Sequence, residues 1–190
     1  MNNNKKRPSM YGHLEVICGP MYAGKTTETL KRVLWARNGQ EREVRVYKPA
    51  FDNRYSETEI VSHDGLRTRA ESVLELPSCC LPHRGLVVLD EVQFFTQPYV
   101  SGDVVEWVRQ QLNNGVDVFA AGLDMDWQGK PFEVTAQLMA MADKVTKITA
   151  HCTVCGKAAS KTYKKTGSGG SVELGALDLY EARCPTHWKE

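Results

Sequence analysis

The run Gly19, Pro20, Met21, Tyr22, Ala23, Gly24, Lys25 and Thr26 has the spacing of a phosphate-binding P-loop. In such a loop consecutive backbone N–H groups surround phosphate oxygens, and the positive end of the following helix adds to the attraction. Lys25 is placed to reach the outer phosphates and Thr26 to offer its hydroxyl to Mg²⁺. Asp90 and Glu91 form a second pair, directly after the apolar residues 86–89. Neighbouring side chains at a strand end leave on different sides, so one carboxylate can serve a metal and the other a substrate hydroxyl. A third constellation, Cys152 with Cys155 and Cys184 with His187, supplies three thiolates and an imidazole at the spacing of two metal-binding knuckles. Four protein ligands close a zinc shell, which predicts a structural clamp, since a catalytic zinc keeps one position open for water. His151 is a competing imidazole, but the two-knuckle spacing favours His187.

These groups need a scaffold that brings distant segments to one edge. Residues 13–18 read as a short strand, 19–24 as a turn, and 25 to about 38 as a helix with Leu30, Val33 and Leu34 on one face. Residues 44–47, 85–90 and 116–121 read as further strands, the last two apolar enough for a parallel sheet buried on both sides. Helices are predicted over about 104–112 and 134–141, before residues 144–149. The alternation predicts a P-loop α/β domain, a mostly parallel sheet flanked by helices, over 11–150, after a disordered tail at 1–10. From 151 to 190 a small zinc-ribbon domain is expected, with the Gly/Ser-rich stretch near 166–171 at the tip of a flap tethered at both ends.

The bulk composition limits the rest. With 190 residues and 42% apolar content the chain buries one sizeable core and a small appendage. Basic and acidic residues number 24 and 23, a net charge of +1, so no global field invites nucleic acid or an anionic membrane. No apolar run reaches membrane-spanning length, and a cytoplasmic protein is expected, with its six cysteines as thiols or metal ligands. Cys18 is expected in the core, and Cys79 with Cys80 in a loop.

The chain resembles the zinc-containing P-loop thymidine kinases, the cellular type. Besides the P-loop, the resemblance is carried by Phe51-Asp-Asn-Arg-Tyr-Ser56, Val61-Ser-His-Asp-Gly65, Asp90-Glu-Val-Gln-Phe-Phe95, the stretch from Ala121 to Phe132, and Tyr180-Glu-Ala-Arg-Cys184. It implies ATP as phosphoryl donor and Glu91 as the general base on the 5′-hydroxyl of thymidine. Asp90 and Asp52 would then help to hold hydrated magnesium, Arg54 would counter phosphate charge, and Asn53 and Gln93 would belong to the same ATP/Mg²⁺ side. It also implies a thymine pocket of Met21, Phe94, Leu123, Trp127, Phe132 and Thr162. A lasso-like flap, Ser171, Val172, Glu173, Leu174 and Gly175, would close it through main-chain contacts, and Tyr180 would fix the sugar. Deoxyuridine is implied as a weaker substrate, thymidine triphosphate as a feedback inhibitor, and a homotetramer as the assembly. The chain departs from the pattern at Trp127, where phenylalanine is usual, at Val92, where a small residue is usual, and at the flap tip. Two alternatives stay open: a kinase for another deoxynucleoside, and an ATP-driven protein whose zinc ribbon grips nucleic acid. Against the second, Lys161, Lys164 and Lys165 are too scattered to track a phosphate backbone.

Overall fold

The computed structural model describes residues 11–51, 58–62, 65–78, 81–166 and 179–189. The expected tail, Asp52, Asn53, Arg54, Cys79, Cys80 and the flap residues 171–175 lie outside them. Along the chain come β1 (Leu14–Cys18), α1 (Lys25–Leu34), β2 (Val44–Pro49), β3 (Glu59–Val61), β4 (Arg67–Arg69) and β5 (Glu71–Val73). Next are β6 (Leu86–Leu89), α2 (Val104–Asn113), β7 (Asp117–Gly122), α3 (Glu133–Met141) and β8 (Lys144–Lys147). The last described strands are β9 (Ala150–His151), β10 (Ala158–Ala159), β11 (Lys161–Lys164) and β12 (Tyr180–Arg183).

Six strands form one sheet in the order β5-β2-β6-β7-β1-β8, with every neighbouring pair parallel. The period-2 alternation of side chains divides each apolar run between two cores. Leu14 and Val16 of β1, Val87 and Leu89 of β6, and Val118 and Ala120 of β7 join one cluster, which includes Trp107, Val108 and Leu112 of α2 and Leu138 of α3. Ile17, Leu86, Val88, Phe119 and Ala121 face the other way, onto Leu30, Val33 and Ala36. This is why the central strands read as continuous hydrophobic runs: both of their faces are covered.

Helix α1 stops earlier than its sequence pattern predicts. After Leu34 the chain widens into a single π-turn at Trp35–Gly39, where Asn38 and Gly39 are weak helix formers. Leu34, expected on the buried face, is 49% exposed, and Ala36 packs in the core instead. The spacing Leu30, Val33, Ala36 keeps one side of the helix, whereas Leu34 is turned about 100° away from Val33. Strands β3, β4 and β5 are not legible in the sequence, because each is three residues long and carries charged side chains.

Glu15 ties three elements together. Its carboxylate accepts from Arg32 of α1 at 3.0 and 3.3 Å and from Lys144 of β8 at 2.8 Å. Burial works to raise its pKa, but the hydrogen bonds and charges of Arg32 and Lys144 together hold it below the ordinary value. A carboxyl group whose pKa is lower folded than unfolded stabilises the fold above the unfolded pKa, and that contribution is lost as pH falls through the folded one. Glu15→Gln should therefore lower stability by on the order of 1 kcal/mol at neutral pH. In urea melts the difference should shrink below about pH 4, where an ordinary glutamate is protonated.

Candidate functional site

The carboxyl ends of β1, β7 and β6 lie side by side, since Cys18 is in register with Gly122, and Ala120 with Leu89. The segments that leave these strand ends therefore open at one edge of the sheet: the P-loop after β1, Leu123 after β7, and Asp90 after β6. Gly24 holds φ 82° at the N-terminus of α1, a left-handed conformation that a glycine adopts without steric cost, and no side chain caps the helix. The amides of the first turn are thus directed at the loop, the arrangement that binds phosphate. Lys25 extends its ammonium over the loop, donating to the carbonyls of Gly19 at 3.2 Å and Pro20 at 2.7 Å. Cys18 is buried as expected, and burial, with the charge of Asp124, pushes its thiol pKa up.

Asp90 is buried at the end of β6, its N–H donating to the carbonyl of Tyr47 at 3.0 Å. Glu91 turns the chain at φ 53° and ψ 45°, the left-handed region in which a residue with a side chain is strained, and opens the short 3₁₀ turn Val92–Phe94. The side chain of Gln93 then makes two contacts. Its amide nitrogen donates to the Glu91 carboxylate at 2.5 Å, and its oxygen accepts from the N–H of Leu123 at 2.9 Å. A Cβ on Gly122 would overlap that oxygen, so the close approach of β7 requires a glycine there. Gln93, implied on the ATP/Mg²⁺ side, is placed between Glu91 and the loop after β7.

The residues expected around the base come together in part. Phe94 and Phe132 meet edge to face at 6.2 Å, and Phe51 and Tyr99 extend this ring cluster at 4.9 and 5.2 Å from Phe94. Met21 donates its N–H to the Thr162 hydroxyl at 3.1 Å, and the Tyr22 hydroxyl donates to the carbonyl of Tyr180 at 3.3 Å. The P-loop is thereby fastened to the pair β11–β12. The loop carrying Trp127 is shaped by Asp126, whose carboxylate accepts from the N–H groups of Gln128 and Lys130, both at 2.9 Å. Trp188 seats on Gly129, where a Cβ would come within 2.7 Å of the indole, and donates its ring N–H to the carbonyl of Thr162 at 3.0 Å. Sequence reasoning misses the Asp126 turn, Gly129 and Trp188. An Asp and a Gly in a short polar stretch do signal a turn, but nothing in the sequence links it to a tryptophan so far along the chain.

Cys152, Cys155, Cys184 and His187 place one ligand atom each within 4.8 Å of one another. For tetrahedral zinc with Zn–S bonds of about 2.3 Å, sulfur atoms should lie about 3.8 Å apart. Cys155 and Cys184 sulfurs are 3.8 Å apart, and Nδ1 of His187 is 3.7 Å from Cys152 and 3.3 Å from Cys184. The donor set fits a closed tetrahedral ion. Burial opposes ionisation of Cys152, but main-chain hydrogen bonds at Cys184, Cys155 and Val154 and the His187 ring bring its thiol down to about 6. His151 is turned to the carbonyl of Gly156 at 3.4 Å, outside the cluster.

A sequence profile described as thymidine kinase matches residues 12–188 of the chain. Among curated proteins, a thymidine kinase of Bdellovibrio bacteriovorus is 40% identical over 181 residues, covering 94% of this chain and 86% of that protein. One of Thermococcus kodakarensis is 41% identical over 193 residues, with 93% of each covered. A third, of a Rhodothermus species, is 42% identical over 175 residues, covering 91% of this chain and 79% of its own.

Proposed function

The chain belongs to the thymidine kinase family, and from that premise we infer that it transfers the γ-phosphoryl group of ATP to the 5′-hydroxyl of thymidine, giving thymidine monophosphate and ADP. The observation that carries the assignment of roles is the bridge through Gln93, which holds the Glu91 carboxylate at the same sheet edge as the P-loop. The loop Gly19 to Thr26, through its backbone N–H groups at every position but Pro20, and the Lys25 ammonium bind the triphosphate. Thr26 and Asp90, with Asp52, would hold magnesium, which would offset the charge that builds on the phosphates during transfer. Glu91 accepts the proton of the 5′-hydroxyl, and Asn53 and Arg54 complete the phosphate side. Met21, Phe94, Leu123, Trp127, Phe132 and Thr162 surround the base, Tyr180 meets the sugar, and residues 171–175 read the base edge through their main chain. Zinc in the Cys₃His cluster would clamp the ribbon from which that segment departs.

A panel of four deoxynucleosides with ATP and Mg²⁺ tests the acceptor. Thymidine should give the highest kcat/KM, and deoxyuridine, lacking one methyl group, should fall about 10- to 200-fold below it. A deoxycytidine or purine deoxynucleoside that outperforms thymidine would refute the reading. Thymidine triphosphate, carrying both the base and the phosphates, is proposed as a feedback inhibitor and a homotetramer as the assembly. No helix among the described residues is long and apolar enough to cross a membrane, in keeping with a proposed cytoplasmic location.

A further inference from the structure

Strands β11 and β12 form a two-stranded ribbon in which Thr162 lies opposite Ala182, and Lys164 opposite Tyr180. All four are buried, while Lys161, Tyr163, Glu181 and Arg183 alternate with them on the outer face. Lys164 is only 1% exposed. A lysine is seldom buried to this degree, because the ammonium group must find in protein what it gives up in water. Two rings supply part of that. The Lys164 Nζ lies 5.5 Å from the centroid of Trp127 and 6.0 Å from that of Tyr180, within the range over which an aromatic face attracts a cation. Indole is the strongest such partner among the side chains.

The ammonium that lies over the P-loop carbonyls is that of Lys25, and Lys164 faces two rings instead. It sits on the ribbon, beside the Trp127 loop and β12, while Lys25 serves the P-loop. We propose that Lys164 is a positioning residue for the nucleoside: its buried ammonium fixes the Trp127 and Tyr180 rings as walls of the thymidine site and so sets thymidine affinity. The inference rests on the reading that these two rings line that site. It predicts an effect on thymidine binding that leaves ATP binding and the phosphoryl-transfer step alone.

Steady-state kinetics of the zinc-loaded enzyme test this with Lys164→Met, Lys164→Gln and Lys164→Arg, alone and in a Trp127→Phe background. Neutralising the charge should raise KM for thymidine about ten-fold, with KM for ATP and kcat within about two-fold of the parent. Lys164→Arg should restore most of the loss. The same neutral variants should cost less when Trp127 is already phenylalanine, because a coupled pair is non-additive. A thymidine KM unchanged in Lys164→Gln overturns the proposal, as does a kcat that falls in step with KM. Loss of fold in both neutral variants, seen as lost zinc and lost ATP binding, also overturns it by assigning Lys164 a purely structural part. Trp127→Ala separates the premise from the inference. If that variant keeps the parent KM for thymidine, the pocket reading fails; if it raises KM while the Lys164 variants do not, only the role of Lys164 fails.

Discussion

Glu91→Gln is expected to lower kcat by about 10²–10⁴, the usual contribution of a positioned general base, with little change in the binding of thymidine or ATP. Glutamine keeps the length of the side chain and an oxygen that can accept from Gln93, so the bridge to Leu123 has reason to survive the substitution. It has no means of taking the proton. The strained backbone at Glu91 argues in the same direction. A non-glycine residue at φ 53° costs about 1–2 kcal/mol, and here it persists because the next residues, Val92 to Phe94, are buried and Gly122 presses against Gln93. Single-turnover kinetics beside calorimetric titration of thymidine separates chemistry from binding, and near-normal turnover would remove Glu91 from the proton-accepting role.

Cys155→Ser should produce the largest loss of structure. Structural zinc bound by such a set is worth about 10–16 kcal/mol at neutral pH, which rivals the about 5–15 kcal/mol that holds a whole domain folded. Among the described residues the ribbon has little to fall back on: its own apolar cluster is Ala150, Cys152, Ala159, Ala182 and Cys184, two of them in the candidate metal cluster, with Ala23 packed against it. Removing one ligand should therefore reduce zinc content, melting temperature and thymidine affinity together. Affinity should fall because Thr162 and Tyr180, held between the two knuckles, are the ribbon's attachments to Met21 and Tyr22. Metal analysis, thermal melts and a thymidine titration on one preparation check it. A variant with full zinc and parental affinity would show that the cluster does not support the site.

How far these elements can be read from the sequence depends on whether their meaning is local. The turn and helix after β1 are legible because their signal is local: Gly24 takes the left-handed conformation directly before the helix that begins at Lys25. The buried strands β6 and β7 are legible because covering both faces leaves an unbroken apolar run. Cys152, Cys155, Cys184 and His187 are legible because a knuckle fixes their spacing. Lys164 is not, since a strand reading Lys161-Thr162-Tyr163-Lys164 looks solvent-facing at both lysines until the partner strand shows which side is inside. Trp188 is hidden for the same reason, its importance resting on Gly129 and Thr162 rather than on its neighbours in the chain. Leu34 misleads because a ten-residue helix offers too few turns to tell a core face from its flank.

The strand β7 stands between the strand that carries the P-loop and the strand that carries Asp90 and Glu91. Adjacent strands are spaced at about 4.8 Å, so donor and acceptor machinery are set about 10 Å apart by hydrogen bonds that no side-chain change can stretch. The sheet thus acts as a fixed ruler for the reaction. An enzyme of this build that adapts to a bulkier or smaller nucleoside must do so with the parts laid across the ruler's end, the Trp127 loop and the ribbon. Selection for use of altered nucleosides by this protein should accordingly collect its mutations there, and leave β1, β6 and β7 untouched.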